Sequence, residues 1–183
     1  MPNFWNWQRR TPNQSGGSAA LAIEEELHPI QFYTAAGMVT ANIVPNGQRM
    51  LDILNGQQAL RVRDVEHIPF NSNALAIRLG DWTSVDVDSV LLATPPPHIS
   101  PRQLRIQRRQ RRVALDLGPF TVIGNAHMAP GFKLNDFLLR QHERFIPITS
   151  AVLRHADDPT FDRSVPVVLV SVGQVRAIRD LLS

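Results

Sequence analysis

The side chains with the most evident chemistry in this chain are arginines. Between Pro101 and Arg112 stand Arg102, Arg105, Arg108, Arg109, Arg111 and Arg112, with no acidic residue among them. Guanidinium groups at this density neutralise phosphates, and such contacts make nucleic-acid binding steeply salt-dependent. Arg105, Arg108, Arg109, Arg111 and Arg112 are therefore candidate nucleic-acid-binding residues. Aromatic side chains for base stacking are not interleaved with them; Phe120 is the nearest ring. A second reading pairs the run with Glu24, Glu25 and Glu26, which hold a similar place earlier in the chain, as complementary charges on two strand edges. Opposite-charge pairs across strands contribute only ~0.2–1 kcal/mol each, enough to favour a register. The net charge of +3 comes from this one segment, since acidic residues outnumber basic ones outside it.

The remaining reactive types form no recognisable constellation. Asp86 and Asp88 are two apart, which puts both carboxylates on one face of a strand. Paired carboxylates can hydrolyse glycosides, but same-face neighbours on an exposed strand are ordinarily solvated. Asp157, Asp158 and Asp162 surround turn residues; a calcium loop needs more oxygen ligands and a defined glycine, so an acidic turn is expected. His28, His67, His98, His127, His142 and His155 show no His-x-x-x-His spacing for a metal. Gly-x-Ser-x-Gly, Walker A and Gly-x-Gly-x-x-Gly motifs are absent, as is cysteine. The expectation is a protein that is not an enzyme, with no catalytic residues, metal or cofactor.

Residues 1–20 are rich in Asn, Gln, Ser, Gly and Pro without periodicity and are expected to be a disordered arm. Trp5 and Trp7 stand in it next to Arg9 and Arg10. Amphipathic rings beside arginines suit partner docking or a membrane surface, and the alternative is that they fold back on the chain. The arm has no apolar core of a secretory signal, and no apolar run reaches the ~20 residues of a membrane span. With the lack of cysteine, this fits a cytoplasmic location.

The elements that must position these groups occur twice. Val44 to Asn55 and Met128 to Leu139 align so that Gly47 meets Gly131, Arg49 meets Lys133, Asp52 meets Asp136 and Leu54 meets Leu138. Such self-similarity marks a duplicated unit. In each unit, segments of two-residue alternation flank a short helix, as in Ile30–Thr34, Met38–Val44 and Leu60–Val65. Met50, Leu51, Ile53 and Leu54 have helical spacing, and Asn55-Gly56 ends the helix. Asp52 and Asp136, repeated in one-turn helices, are expected to accept turn or cap hydrogen bonds. Val167 to Val172 is nearly all apolar, as a strand buried on both faces would be, and Pro166 suits its first position. The expected fold is mainly β: two tandem small β-barrel or sandwich repeats, each with a short helix between strands. The expected boundaries are an arm at 1–20, a first repeat at 21–94, a Pro-rich linker at 95–104 and a second repeat at 105–183.

The helix motif resembles that of a small bacterial domain of unknown function, whose hallmarks are a Gly, a Pro, a basic-Leu-x-Asp-x-Leu run and an aromatic before a Leu/Ile-Thr-x-Ala segment. Here these are Gly124, Pro130, Lys133-Leu134-Asn135-Asp136-Phe137-Leu138, Phe145 and Ile148-Thr149-Ser150-Ala151. The first unit matches with Pro45 and Arg49 to Asn55 but places Thr40 where the glycine would stand. The resemblance implies no activity. Arg108 to Leu117 is also similar to the opening of a PilZ domain, which binds cyclic di-GMP, yet the Asp/Asn-x-Ser-x-x-Gly turn of that family is missing at Asn125 to Pro130. The short strands with frequent turns resemble small bent-strand barrels of the Sm-like or SH3-like kind.

These observations imply an interaction or assembly module that mediates protein–protein contacts, with a protein partner or self-association through exposed strand edges. The alternative is nucleic-acid or nucleotide binding, of the cyclic di-GMP kind, through Arg102 to Arg112.

Overall fold

The structure, a computed structural model, describes residues 26–70, 75–95, 109–128, 131, 134–139 and 142–181. The 1–20 arm with Trp5 and Trp7, Glu24 and Glu25, all of the 95–104 segment beyond Pro95, and Arg102, Arg105 and Arg108 lie outside the described residues.

Alternation of apolar and polar residues becomes strand in most of the segments where the sequence predicts it. The first half contains β1 (His28–Tyr33), β2 (Gly37–Ile43), helix α1 (Met50–Gly56), β3 (Ala59–Pro69), β4 (Ile77–Arg78), β5 (Trp82–Asp86), a 3-10 turn at Val87–Ser89 and β6 (Leu92–Thr94). The second contains β7 (Arg109–Asp116), β8 (Phe120–Met128), α2 (Leu134–Leu139), β9 (Phe145–His155), β10 (Asp162–Ser171), a 3-10 turn at Val172–Gln174 and β11 (Ala177–Asp180). In α1 the apolar spacing does what it predicts: Met50, Ile53 and Leu54 are buried.

The strands do not form two separate barrels. They form one open antiparallel sheet in the order β11-β7-β8-β9-β10-β6-β1-β2-β3-β4, with β5 also paired to β3. The halves meet where β10 pairs with β6, Leu169 opposite Ala93 and Val170 opposite Leu92. Strands at this seam are buried on both faces. In β1, Phe32 enters the core gathered around α1, while its neighbour Tyr33 enters the core gathered around β7 and β8. Leu92 and Ala93 divide in the same way, as do Val168 and Leu169, and Ile146 and Phe145. Two-sided burial is why Val167 to Val172 shows no alternation.

Three local expectations are revised. Pro166 does not open the buried strand, because β10 begins at Asp162. It is tolerated inside because it faces Ser150, where the register of β9 and β10 skips and β9 turns through a positive φ of 48°. Asp86 and Asp88 do not share a strand face. The Asp86 carboxylate accepts from the Asp88 N–H at 3.0 Å, which ends β5 and opens the 3-10 turn. The position equivalent to Gly124 is Ala41, not Thr40: Gly124 lies opposite Val113, as Ala41 lies opposite Ile30, and each stands where its pairing with the next strand slips by one residue.

Candidate interaction surfaces

The seam shows what this sheet uses to hold two edges together. Phe145 and Leu169 of the second half complete the first-half core, and Tyr33, Met38, Leu91 and Leu92 complete the second-half core. Polar groups fix the edges of the contact. The Asn55 side chain, at the end of α1, accepts from the Phe145 N–H at 2.7 Å and donates to the Phe145 carbonyl at 3.3 Å. The Arg144 guanidinium donates to the Gln57 carbonyl at 3.0 Å and also pairs with Asp88. A backbone bond from Ser171 N–H to the Leu91 carbonyl (3.0 Å) extends the pairing.

The open ends of the sheet present the other surfaces. β5 pairs only with β3, and β11 only with β7, among the described residues. Trp82 sits on β5 opposite Arg63 and remains 38% exposed. Two guanidinium groups stack on its ring, Arg61 at 4.1 Å and Arg63 at 5.0 Å from the centroid. Arginine over indole is the favourable cation–π geometry, and it holds the ring in place while leaving part of it open. Leu75 and Ile77, the two most exposed large apolar residues among those described, precede it on the same outer segment. Tryptophan and arginine are the types most enriched at binding hot spots. The sequence reading singled out neither Trp82 nor these arginines. The available signal was Arg61-x-Arg63 on one strand face, followed by a tryptophan just after a Gly-Asp turn.

The arginines of the sequence reading are placed differently. Arg109, Arg111 and Arg112 lie on β7 rather than ahead of the first strand of the half. Arg111 pairs with Asp180 of β11 at 2.9 Å, and Arg112 donates to the Ser150 carbonyl at 3.1 Å, satisfying the backbone at the bend of β9. Arg109 is exposed.

The carboxylates have structural partners. Asp158 accepts from both the backbone N–H and the hydroxyl of Thr160, at 3.0 and 2.6 Å. The hydroxyl bond chiefly holds its carboxyl below the usual range. Asp162 pairs with Arg154 at 3.2 Å. Asp52 is exposed in the first turn of α1, where the helix dipole favours a carboxylate, and the N-cap position Arg49 makes no side-chain cap bond. The Asp136 side chain is outside the described residues. His155 is buried against Phe70 and Phe120, with ring centroids 4.4 and 5.0 Å away. Among the described residues no group of three or more His, Asp or Glu side chains is placed to hold a metal. No helix of the described residues is long and apolar enough to cross a membrane.

No family model, curated protein or solved structure matches this chain.

Proposed function

We propose that the chain is a duplicated small β unit that acts as a non-enzymatic interaction or assembly module, making protein–protein contacts through its open sheet edges. The observation that carries this reading is the β5 edge, unpaired among the described residues, with the Arg61 and Arg63 guanidinium groups over the Trp82 ring and exposed Leu75 and Ile77 earlier on the same outer segment. An unpaired strand offers a row of backbone donors and acceptors to another strand, and a fixed aromatic supplies an anchor.

Duplication is supported by more than the motif. The strand order β6-β1-β2-β3-β5 of the first half recurs as β11-β7-β8-β9-β10 in the second. Register slips fall at Ala41 and Gly124, positive φ values at Asp64 and Ser150, and a 3-10 turn precedes the last strand of each half.

The nucleic-acid reading is weakened by the engagement of Arg111 with Asp180 and of Arg112 with Ser150. One experiment separates the two. A photo-crosslinking side chain at Ser84 is introduced, and the protein is irradiated in cells and purified at low and at high salt. Protein adducts at that position and a nucleic-acid-free absorbance spectrum in both preparations are expected. Nucleic acid that leaves only at high salt, and is lost on reversing the charge of Arg109 and Arg112, would transfer the function to the arginine run.

A further inference from the structure

The seam inside the chain is also a template for a contact between chains. Backbone hydrogen bonds align the halves residue by residue: Val87 N–H bonds to the Gln58 carbonyl as Val172 N–H does to Arg144, and Leu91 N–H to Tyr33 as Arg176 N–H to Asp116. β5 therefore corresponds to β10, and β11 to β6. Since β10 and β6 pair in the seam, the two edges left open are the same two edge types, one at each end of the molecule. We infer that β5 of one chain pairs antiparallel with β11 of a second copy, head to tail, in the register of the internal seam. This inference rests on the interaction-module reading and names a second copy as the partner at the β5 edge.

The seam register carries over without free choices. Leu169 opposite Ala93 becomes Ser84 opposite Ile178, and Val170 opposite Leu92 becomes Val85 opposite Ala177. The Ser171 bond to Leu91 becomes a bond from Asp86 to Arg176, and continuing the strand brings Asp180 opposite Trp82. Charges then match at both ends of the contact. Asp86 meets Arg176, and Asp180, already paired with Arg111 of its own chain, comes opposite the Trp82 ring that carries Arg61 and Arg63. Asp86 and Arg176 are both exposed, and the Asp86 carboxylate, which accepts from the Asp88 N–H through Oδ1, keeps its second oxygen for an arginine.

What differs is the apolar part. Phe145, Pro147 and Leu169 at the seam correspond to Ala59, Arg61 and Ser84 on the open edge. Tyr33, Met38 and Leu91 correspond to Asp116, Thr121 and Arg176 on the other. A contact that has exchanged its apolar side chains for charged ones is weak, reversible and screened by salt, unlike the permanent seam. A heterologous contact of this kind closes into a ring or runs into an open filament.

Light scattering and sedimentation of the full chain across concentration test this, at about 0.1 M and about 1 M salt, where the screening length falls from ~10 Å to ~3 Å. Mass is expected to rise with concentration at low salt and return to the monomer at high salt. Asp86→Arg and Arg176→Asp should each weaken association by up to about fivefold for the opposite-charge pair lost, and further for the like-charge pair created. Mixing the two variants should restore it, because every contact between unlike chains then pairs Arg with Asp. The mixture also controls for folding. The chain has no cysteine, so Ser84→Cys and Ile178→Cys variants should form one disulfide only with each other. A monomer at every concentration with no such cross-link, or association indifferent to both charge reversals, overturns the inference. If the monomer still gives protein adducts at Ser84, the interaction-module reading stands and only the identity of the partner falls.

Discussion

Single residues settle questions that composition leaves open. Asn55 stands in the last turn of α1, which runs through Gly56 and ends at an extended Gln57 rather than in the left-handed conformation an Asn-Gly pair suggests, and its side chain closes a two-way hydrogen bond on Phe145 across the seam. Truncation strands the Phe145 N–H and C=O together. Asn55→Ala is therefore expected to cost about 1–3 kcal/mol, read from the urea midpoint. Gly124 is constrained by space rather than by φ. A Cβ there would stand 2.4 Å from Ile148 Cγ2 and 3.0 Å from the Thr149 carbonyl. Gly124→Ala should destabilise by about 1–3 kcal/mol, as overpacking does, although alanine is native at the corresponding position 41. Asp158 gives a pH prediction. Its carboxyl is depressed by the Thr160 hydroxyl, so its contribution is complete above the ordinary carboxylate range and is lost as pH falls through the lower folded value. The urea midpoint of the native chain should drop over that acid range more than that of Asp158→Asn, which lacks the titrating group. Of these roles the sequence disclosed the helix end at Asn55 and an acidic turn at Asp158. It concealed the partner of Asn55 and the crowding at Gly124, because each depends on a strand distant along the chain.

At the scale of elements, alternation was a reliable guide wherever a strand has one wet face. β8 alternates in burial along its whole length, and β3 does so from Ala59 to Val62. The guide failed at three places, two decided by a nonlocal neighbour and one by a side chain that bonds the backbone two residues ahead. Pro166 looks like a strand opening until Ser150 is seen to break the ladder opposite it. Asp86 and Asp88 look like strand neighbours until the Asp86 side chain ends the strand. The motif glycine aligns with Thr40 until both register slips are compared. The seam strands carry the strongest consequence. Leu169 belongs to β10 in the second half but packs in the core around α1. Leu169→Ala is expected to cost about 2–5 kcal/mol. Hydrogen exchange should show the loss of protection first in β1 to β3, not in β7 and β8 on its own side. Faster exchange confined to β7 and β8 would contradict the shared core.

For the molecule as a whole, the recurrence of the helix motif was legible in the sequence and the joining of the two halves was not. A sequence repeat and a proline segment read as two bodies on a linker, because strand pairing across the halves leaves no periodic trace. Yet each core borrows side chains from the other half: Tyr33, Met38, Leu91 and Leu92 in one direction, Phe145 and Leu169 in the other. Separating the halves would expose these residues and the facing edges of β6 and β10 together, an apolar and unpaired strand surface. The intact chain is accordingly expected to unfold in one cooperative step, with calorimetric and van't Hoff enthalpies equal. A fragment spanning 105–183 should lack a cooperative transition or aggregate, and mixing it with a fragment spanning 21–94 should recover a folded 1:1 complex. Two resolved transitions in the intact chain, or a fragment that melts as it does within the whole, would mean that the seam is a contact between finished domains. The cores would then have to be complete without the borrowed rings, which the burial of Tyr33 and Phe145 at 0% and 1% exposure argues against.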